Sequence, residues 1–230
     1  MIFFSSFGRR TMNDLNKPLG FFQDSIFQDY KFLDRLQKEI LDIKMKYFNK
    51  KYNFIICAEH NHVYTIGRNS KFTNLLMFSN TYKKIPILKV ARGGDVTYHG
   101  SGQLVCYLIL DLFLFNYDIN LLLRFIENII IYILLKYKIL SFRIINQAGI
   151  FDYCHFKKIC SIGLKIRNYI TRHGFSLNIN NNLNYYNYIR PCGINKYGIT
   201  SLYTENNFSF YIKIKSLLNN ILSSFFNLIY

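Results

Sequence analysis

Residues 91–112 read ARGGDVTYHGSGQLVCYLILDL, and no other stretch restricts the fold as much. The first half is polar and holds Gly93, Gly94, Gly100 and Gly102, whereas the second is an apolar run of strand type. Such a change marks a loop that feeds a buried strand. The glycines permit positive φ and close main-chain approach to a ligand, which a Cβ would block. Glycines alone say only that the loop is tight. The polar residues set among them, Arg92, Asp95, Thr97, Tyr98 and His99, make it a candidate site.

At 230 residues and 50% hydrophobic content, one domain with a substantial core is expected. The formal charge of +16 favours encounter with acidic partners. Its basic residues are scattered rather than gathered into a stripe with stacking aromatics, so nucleic acid is not the expected partner. The five cysteines, Cys57, Cys106, Cys154, Cys160 and Cys192, form no CxxC pair and no framework spacing. That argues against a disulfide scaffold and a zinc site, and for a reducing, cytoplasmic setting. MIFFSSFGRR places apolar residues ahead of its arginines, the reverse of a secretory signal. Residues 1–17 read as a ragged leader, with Met12 as an alternative start, and 18–230 as the domain. The most apolar segment, Leu121 to Leu135, is interrupted by Arg124, Glu127 and Asn128, so it predicts a core helix rather than a membrane span.

Along the chain, Leu33, Leu36, Ile40, Ile43 and Tyr47 fall at helical spacing and predict one apolar face over residues 30–48. Asn53 to Ala58 predicts a strand. Ile85 to Val90 and Gln103 to Leu112 predict strands entering and leaving the central loop, as neighbours. Asp118 is placed to cap a helix over 119–136. Short alternating runs from Phe142 to Asn180 predict an antiparallel meander, Asn180 to Asn187 a loop, and Phe210 to Ile229 a closing helix. His60 and His62 lie two apart, which in a strand puts both on one face. Cys57 alternates to the other face, so a pocket or structural role outweighs a metal pair.

RGGDVTYHGSGQLV resembles the signature of the lipoyl(octanoyl) transferases, RGGxxTYHGPGQLV, with Ser101 where the family usually has proline. Further segments match in order over roughly residues 20–205: LGFFQDSIFQDYKFLDRLQKEI, EHNHVYTIGR (with Asn61 and His62 at a pair where proline is frequent), KICSIG, HGFSLNI and RPCGINKYGITSL. The resemblance implies an α+β fold of the biotin/lipoate protein ligase catalytic-domain type. Its sheet would be mixed and largely antiparallel, with helices mainly on one face. It implies an octanoyltransferase catalytic domain with no cofactor and no metal, acting as a monomer. Octanoyl would pass from octanoyl-acyl carrier protein, through a cysteine thioester, to the lysine of lipoyl domains. Those domains belong to 2-oxoacid dehydrogenase acyltransferase subunits and to the glycine cleavage H protein.

Cys192 sits between Pro191 and Gly193, a setting that exposes a sulfur and frees a backbone amide. By resemblance it is the nucleophile. A thiol of pKa near 8.5 needs a positive neighbour to ionise at neutral pH, and an ammonium about 4 Å away at an effective dielectric of about 20 offers about 4 kcal/mol. The resemblance assigns this to Lys158, which has the KxxSIG spacing that its neighbour Lys157 lacks. It also implies that Arg92, Gly93, Gly94, Asp95, Val96, Thr97, Tyr98 and His99, with Ser161, Ile162, Gly163, Gly174, Phe175 and Ser176, line the acyl site. Arg68 is a candidate for the rim. His99 and His173 leave a Cys-His pairing as a minor alternative. Three other readings compete: an ATP-dependent lipoate or biotin ligase, a transferase between lipoyl domains, and a non-catalytic carrier-binding module. No GxxxxGK[ST] loop is present, and the paired Cys192 and Lys158 favour the transferase.

Overall fold

The computed structural model describes residues 19–23, 28–46, 53–76, 85–190, 197–203 and 208–229. The expected leader and Cys192 lie outside the described residues. The chain runs β1 (Leu19–Gln23), α1 (Tyr30–Lys46), β2 (Asn53–Ala58), β3 (Val63–Ile66), β4 (Ile87–Lys89), β5 (Thr97–His99), β6 (Gln103–Ile109), α2 (Ile119–Lys136), β7 (Ser141–Ile144), β8 (Gln147–Asp152), β9 (Lys158–Arg167), β10 (Ile170–Asn178) and α3 (Phe208–Ile229).

Seven strands form one sheet in the order β1-β2-β6-β10-β9-β8-β7. Its β1–β2 pair is parallel and the other pairs are antiparallel. The expected meander is β7 to β10. A smaller sheet, β4-β3-β5, stands apart. The fold is thus α+β with a mixed, largely antiparallel sheet.

Strand alternation divides the core in two. Along β6, Leu104, Cys106 and Leu108 enter the cluster beneath α2 and α3, with Ile126, Ile130 and Leu218. Val105, Tyr107 and Ile109 face α1 and meet Tyr30, Leu33 and Ile40. Each such side chain, fully buried, contributes about 1.5–3 kcal/mol. Two of the three helices therefore share one face of the large sheet. α2 starts where its cap predicts, the Asp118 carboxylate accepting from the Asn120 amide at 2.7 Å.

Three expectations need correction. The buried face of α1 is Tyr30, Leu33, Gln37, Ile40, Leu41 and Lys44, while Ile43 is exposed and Tyr47 lies outside the described residues. Gln37 is drawn inward because its side-chain carbonyl accepts from the His173 amide at 2.9 Å. Strands β4 and β6 are not neighbours. β4 pairs with β3 and β6 with β2 and β10, so the central loop carries the chain from one sheet to the other. The asparagine-rich segment contains a 3-10 turn, Leu183–Tyr188, capped by Asn182.

Candidate active site

The face of β6, β10 and β9 that looks towards α1 forms the floor of a cavity, and residues 92–96 form its roof. Arg92, Gly93, Gly94, Asp95, Val96, Thr97, His99, Ser161, Ile162, Gly163, Gly174, Phe175 and Ser176 all line it. Cross-strand pairing brings them together: Gly163 faces Gly174, Ser161 faces Ser176, and Val105 faces Ser176 from the other side. The facing glycines leave the floor bare. Ile162 and Phe175 alternate the other way, with side chains in the α2–α3 core. Tyr98 is a correction. It lies between Thr97 and His99 in β5, so its ring points away from the cavity into a second cleft. There it stacks on Tyr185 at 4.8 Å and its hydroxyl hydrogen-bonds with His62 Nδ1 at 2.6 Å.

The roof is clamped from two sides. The Gly93 amide donates to the Leu164 carbonyl of β9 at 3.0 Å, and the Arg68 and Asn69 amides donate to the carbonyls of Arg92 and Gly94 at 3.1 and 3.2 Å. Gly94 has φ +81°, which glycine adopts without strain. The Arg92 guanidinium folds back onto β3, donating to the Thr65 carbonyl and hydroxyl at 2.9 Å each and to the Gly93 carbonyl at 3.0 Å. Asp95 accepts from the Val96 amide at 2.7 Å and from the Asn74 side chain. Arg68 is not among the lining residues; its contribution is its main chain.

Sequence reasoning missed Tyr30, Val105 and Tyr107, which also line the cavity, and gave His173 only a minor place. Alternation along β6 could have indicated Val105 and Tyr107. The histidines are ill suited to act as bases. His99 is buried, its Nδ1 is 2.7 Å from Gln103 Oε1, and burial with nearby positive groups holds it well below its usual pKa. His173 is pushed down to about 3, mainly by burial and then by Arg172. His60 and His62 diverge, His60 being buried against Tyr107 and His62 exposed.

Lys158 is brought to the cavity's side of the sheet by a bulge. Between β8 and β9, Ile150 faces Cys160 and Phe151 faces Lys158, so β9 carries one extra residue, Ile159. An extra residue inverts the alternation. Cys160 and Ile150 stay in the α2–α3 core, and Lys158, Gly149 and Phe151 take the face of Ser161 and Gly163. The ammonium lies 3.2 Å from the Ala148 carbonyl and 5.1 Å above the Phe151 ring, beside Gly149, which faces Ser161. Lys158 is 3% exposed, whereas Lys157 is exposed.

Lys158 is also held from downstream of the PCGI segment. Its amide donates to the Gly198 carbonyl at 2.8 Å, and its carbonyl accepts from Thr200 at 2.9 Å. Tyr197 packs edge-on to Phe151 at 5.4 Å. Upstream, the Arg190 amide donates to the Asn74 carbonyl at 2.8 Å. Of the other cysteines, Cys57, Cys106 and Cys160 are buried free thiols and Cys154 is exposed. Burial pushes the Cys106 and Cys160 thiols well up, which disfavours the thiolate a nucleophile needs.

A family model described as the lipoyl protein ligase A/B catalytic domain matches residues 32–226. An octanoyltransferase of Flavobacterium johnsoniae is 38% identical over 205 residues, 83% of this chain and 88% of that protein. One from Prochlorococcus marinus is 39% identical over 203 residues, 88% and 91%. Among solved structures, a bi-partite lipoate protein ligase from Thermoplasma acidophilum superposes with a TM-score of 0.65 at 12% identity, over 87% of this chain and 82% of that one. Lipoate-protein ligase A bound with ATP gives 0.63 at 13% identity, over 84% and 81%. These structures share the fold. Sequence identity sustained over most of the chain, on a cavity built from the matching motifs, shows that the chain belongs to the lipoyl protein ligase A/B catalytic family, among its lipoyl(octanoyl) transferases, and is an acyltransferase.

Proposed function

We propose that this enzyme takes octanoyl from octanoyl-acyl carrier protein onto Cys192 as a thioester and passes it to the lysine of lipoyl domains, the first step of protein lipoylation. The observation that carries this reading is the Ile159 bulge, which sets Lys158 on the cavity's face with its side chain reaching back to Gly149, the residue that faces Ser161. The chain enters the PCGI segment from Arg190, anchored on Asn74, and leaves it at Tyr197 and Gly198, anchored on Phe151 and Lys158. A cysteine tethered between those anchors supplies the thiolate that the buried thiols do not.

In the first step the Cys192 thiol gives up its proton and its sulfur attacks the donor's carbonyl carbon, the carrier's C–S bond breaks, and the carrier thiolate takes up a proton in place of the one Cys192 lost. Lys158, as an ammonium, stabilises the attacking thiolate and the leaving one in turn. In the second step the neutral acceptor amine attacks the acyl-enzyme, the Cys192 C–S bond breaks, and an amide forms. The amine's proton passes to the departing sulfur with Lys158 beside it. Six methylenes buried on the glycine floor gain about 5 kcal/mol at ~0.8 each, enough to favour octanoyl over acetyl. No step needs ATP, because the acyl group arrives activated. The acceptors are lipoyl domains of 2-oxoacid dehydrogenase acyltransferase subunits and of the glycine cleavage H protein, and the basic chain suits acidic partners. Among the described residues no helix is long and apolar enough to cross a membrane.

Substitution separates the roles. Cys192→Ala abolishes transfer, whereas Lys158→Ala remains folded and is slowed by at least about 100-fold, a loss of roughly 3 kcal/mol in transition-state stabilisation. Full steady-state activity in Cys192→Ala sinks the mechanism.

A further inference from the structure

The cavity has a reacting end and a far end, and the strand register fixes both. The Lys158 ammonium stands beside Gly149 at the rung of Ser161 and Ser176. One like-facing step along β9 and β10 is the bare Gly163–Gly174 rung, and Gly174 faces Tyr107 of β6. Tyr30, from the first turn of α1, closes this end: it is 4% exposed and its ring stacks on His99 at 5.5 Å and meets Tyr107 edge-on at 6.4 Å.

The end wall is tied down by a directed chain of hydrogen bonds. His60 Nδ1 is 2.9 Å from the Gln28 carbonyl, which can only accept, so Nδ1 carries the hydrogen. Burial holds His60 down to about 4, so the ring is neutral and Nε2 accepts from the Tyr107 hydroxyl at 2.6 Å. The Tyr107 ring fixed in this way is the one that Tyr30 meets edge-on. Moving the Tyr30 ring gives up its packing on His99 and on the anchored Tyr107.

We infer that Tyr30 sets the length of acyl chain this enzyme accepts, its ring being the end wall that an eight-carbon chain just reaches. One like-facing step is ~6.6 Å of strand, and seven carbon–carbon bonds of ~1.5 Å in zigzag span roughly 9 Å. A chain starting at the Ser161 rung passes over the glycines and ends against Tyr30 and Tyr107. Each further methylene must displace the ring. The inference rests on the acyl-transfer reading above.

The test compares wild type, Tyr30→Phe, Tyr30→Ala and Tyr30→Trp on C6, C8, C10 and C12 acyl thioesters of N-acetylcysteamine, reading kcat/KM for acyl transfer. Binding of the free C6, C8 and C12 carboxylates is measured in parallel. Tyr30→Ala is expected to raise the C12-to-C8 ratio at least about tenfold, since each methylene it admits is worth roughly fourfold. Tyr30→Phe, which keeps the ring, should hold the wild-type preference within about threefold, and Tyr30→Trp should shift it towards C6. A folded Tyr30→Ala with the wild-type C12-to-C8 ratio overturns the inference. If Tyr30→Ala does not fold, an unshifted C6-to-C8 ratio in Tyr30→Trp overturns it. The carboxylates separate the two readings: shifted binding ratios in a protein that transfers no acyl group sink the transferase reading and sustain the ruler.

Discussion

Gly67 supports the roof of the cavity from a distance. A Cβ there would stand 2.3 Å from the Gly94 carbonyl oxygen and 2.9 Å from an Arg92 guanidinium nitrogen, closer than real contacts allow, so Gly67→Ala must push residues 92–94 out of place. The expected result is a loss of acyl transfer of at least about 100-fold, because small misplacements at a site cost that much, with the protein still folded. Steady-state rates beside a thermal melt check it, and unchanged rates contradict the clamp. The polar residues of RGGDVTYHG were legible in the sequence because they are contiguous and chemically distinctive. Gly67, Tyr30 and Tyr107 were not, since each meets the cavity only after remote segments are brought together. Tyr98 was misread for a simpler reason: a three-residue strand alternates, and its middle side chain faces away from its neighbours.

The decisive element is β9 with its extra residue. Lys158 and Ser161 are three apart, an interval that in regular β structure puts side chains on opposite faces; Ile159 as a bulge puts them on the same one. Deleting Ile159 removes the bulge and leaves Lys158 two residues from Ser161, so regular alternation keeps both on the cavity's face. Transfer is then expected to stay within about tenfold of wild type, and stability to drop by roughly 1.5–3 kcal/mol as the buried Ile159 side chain is lost. Denaturant unfolding and acyl transfer measure the two effects, and a folded deletion variant as slow as Lys158→Ala contradicts the bulge account. Helices and meander were readable because their signals are local: the Asp118 cap and the period of α2 gave bounds that the structure repeats. Strand partners were not readable. Nothing local in IPILKV says that β4 joins β3 rather than β6, and the burial of Gln37 on α1 depends on a main-chain amide of β10.

Across the whole molecule, three buried histidines tie stability to pH. His60, His99 and His173 are all held below their usual pKa, chiefly by burial, His60 to about 4 and His173 to about 3. In the unfolded chain each takes a proton near pH 6.5. Below that pH the unfolded state binds more protons, so stability falls as pH drops, by up to about 1.4 kcal/mol per unit for each histidine. The stability these rings forgo is largest once pH has passed below their folded values. Urea midpoints measured from about pH 7 to about pH 4.5 should fall steeply, with a shallower slope in His173→Asn; a flat profile contradicts neutral burial.

The central claim is that acyl transfer runs through one cysteine. Intact mass after mixing the protein with octanoyl-acyl carrier protein, without ATP or acceptor, tests it most directly. The account predicts one added octanoyl group that maps to Cys192, is cleaved by hydroxylamine and passes to an added lipoyl domain. No adduct, with octanoate and ATP together acylating the lipoyl domain, would make the enzyme a ligase and contradict the assignment of Cys192.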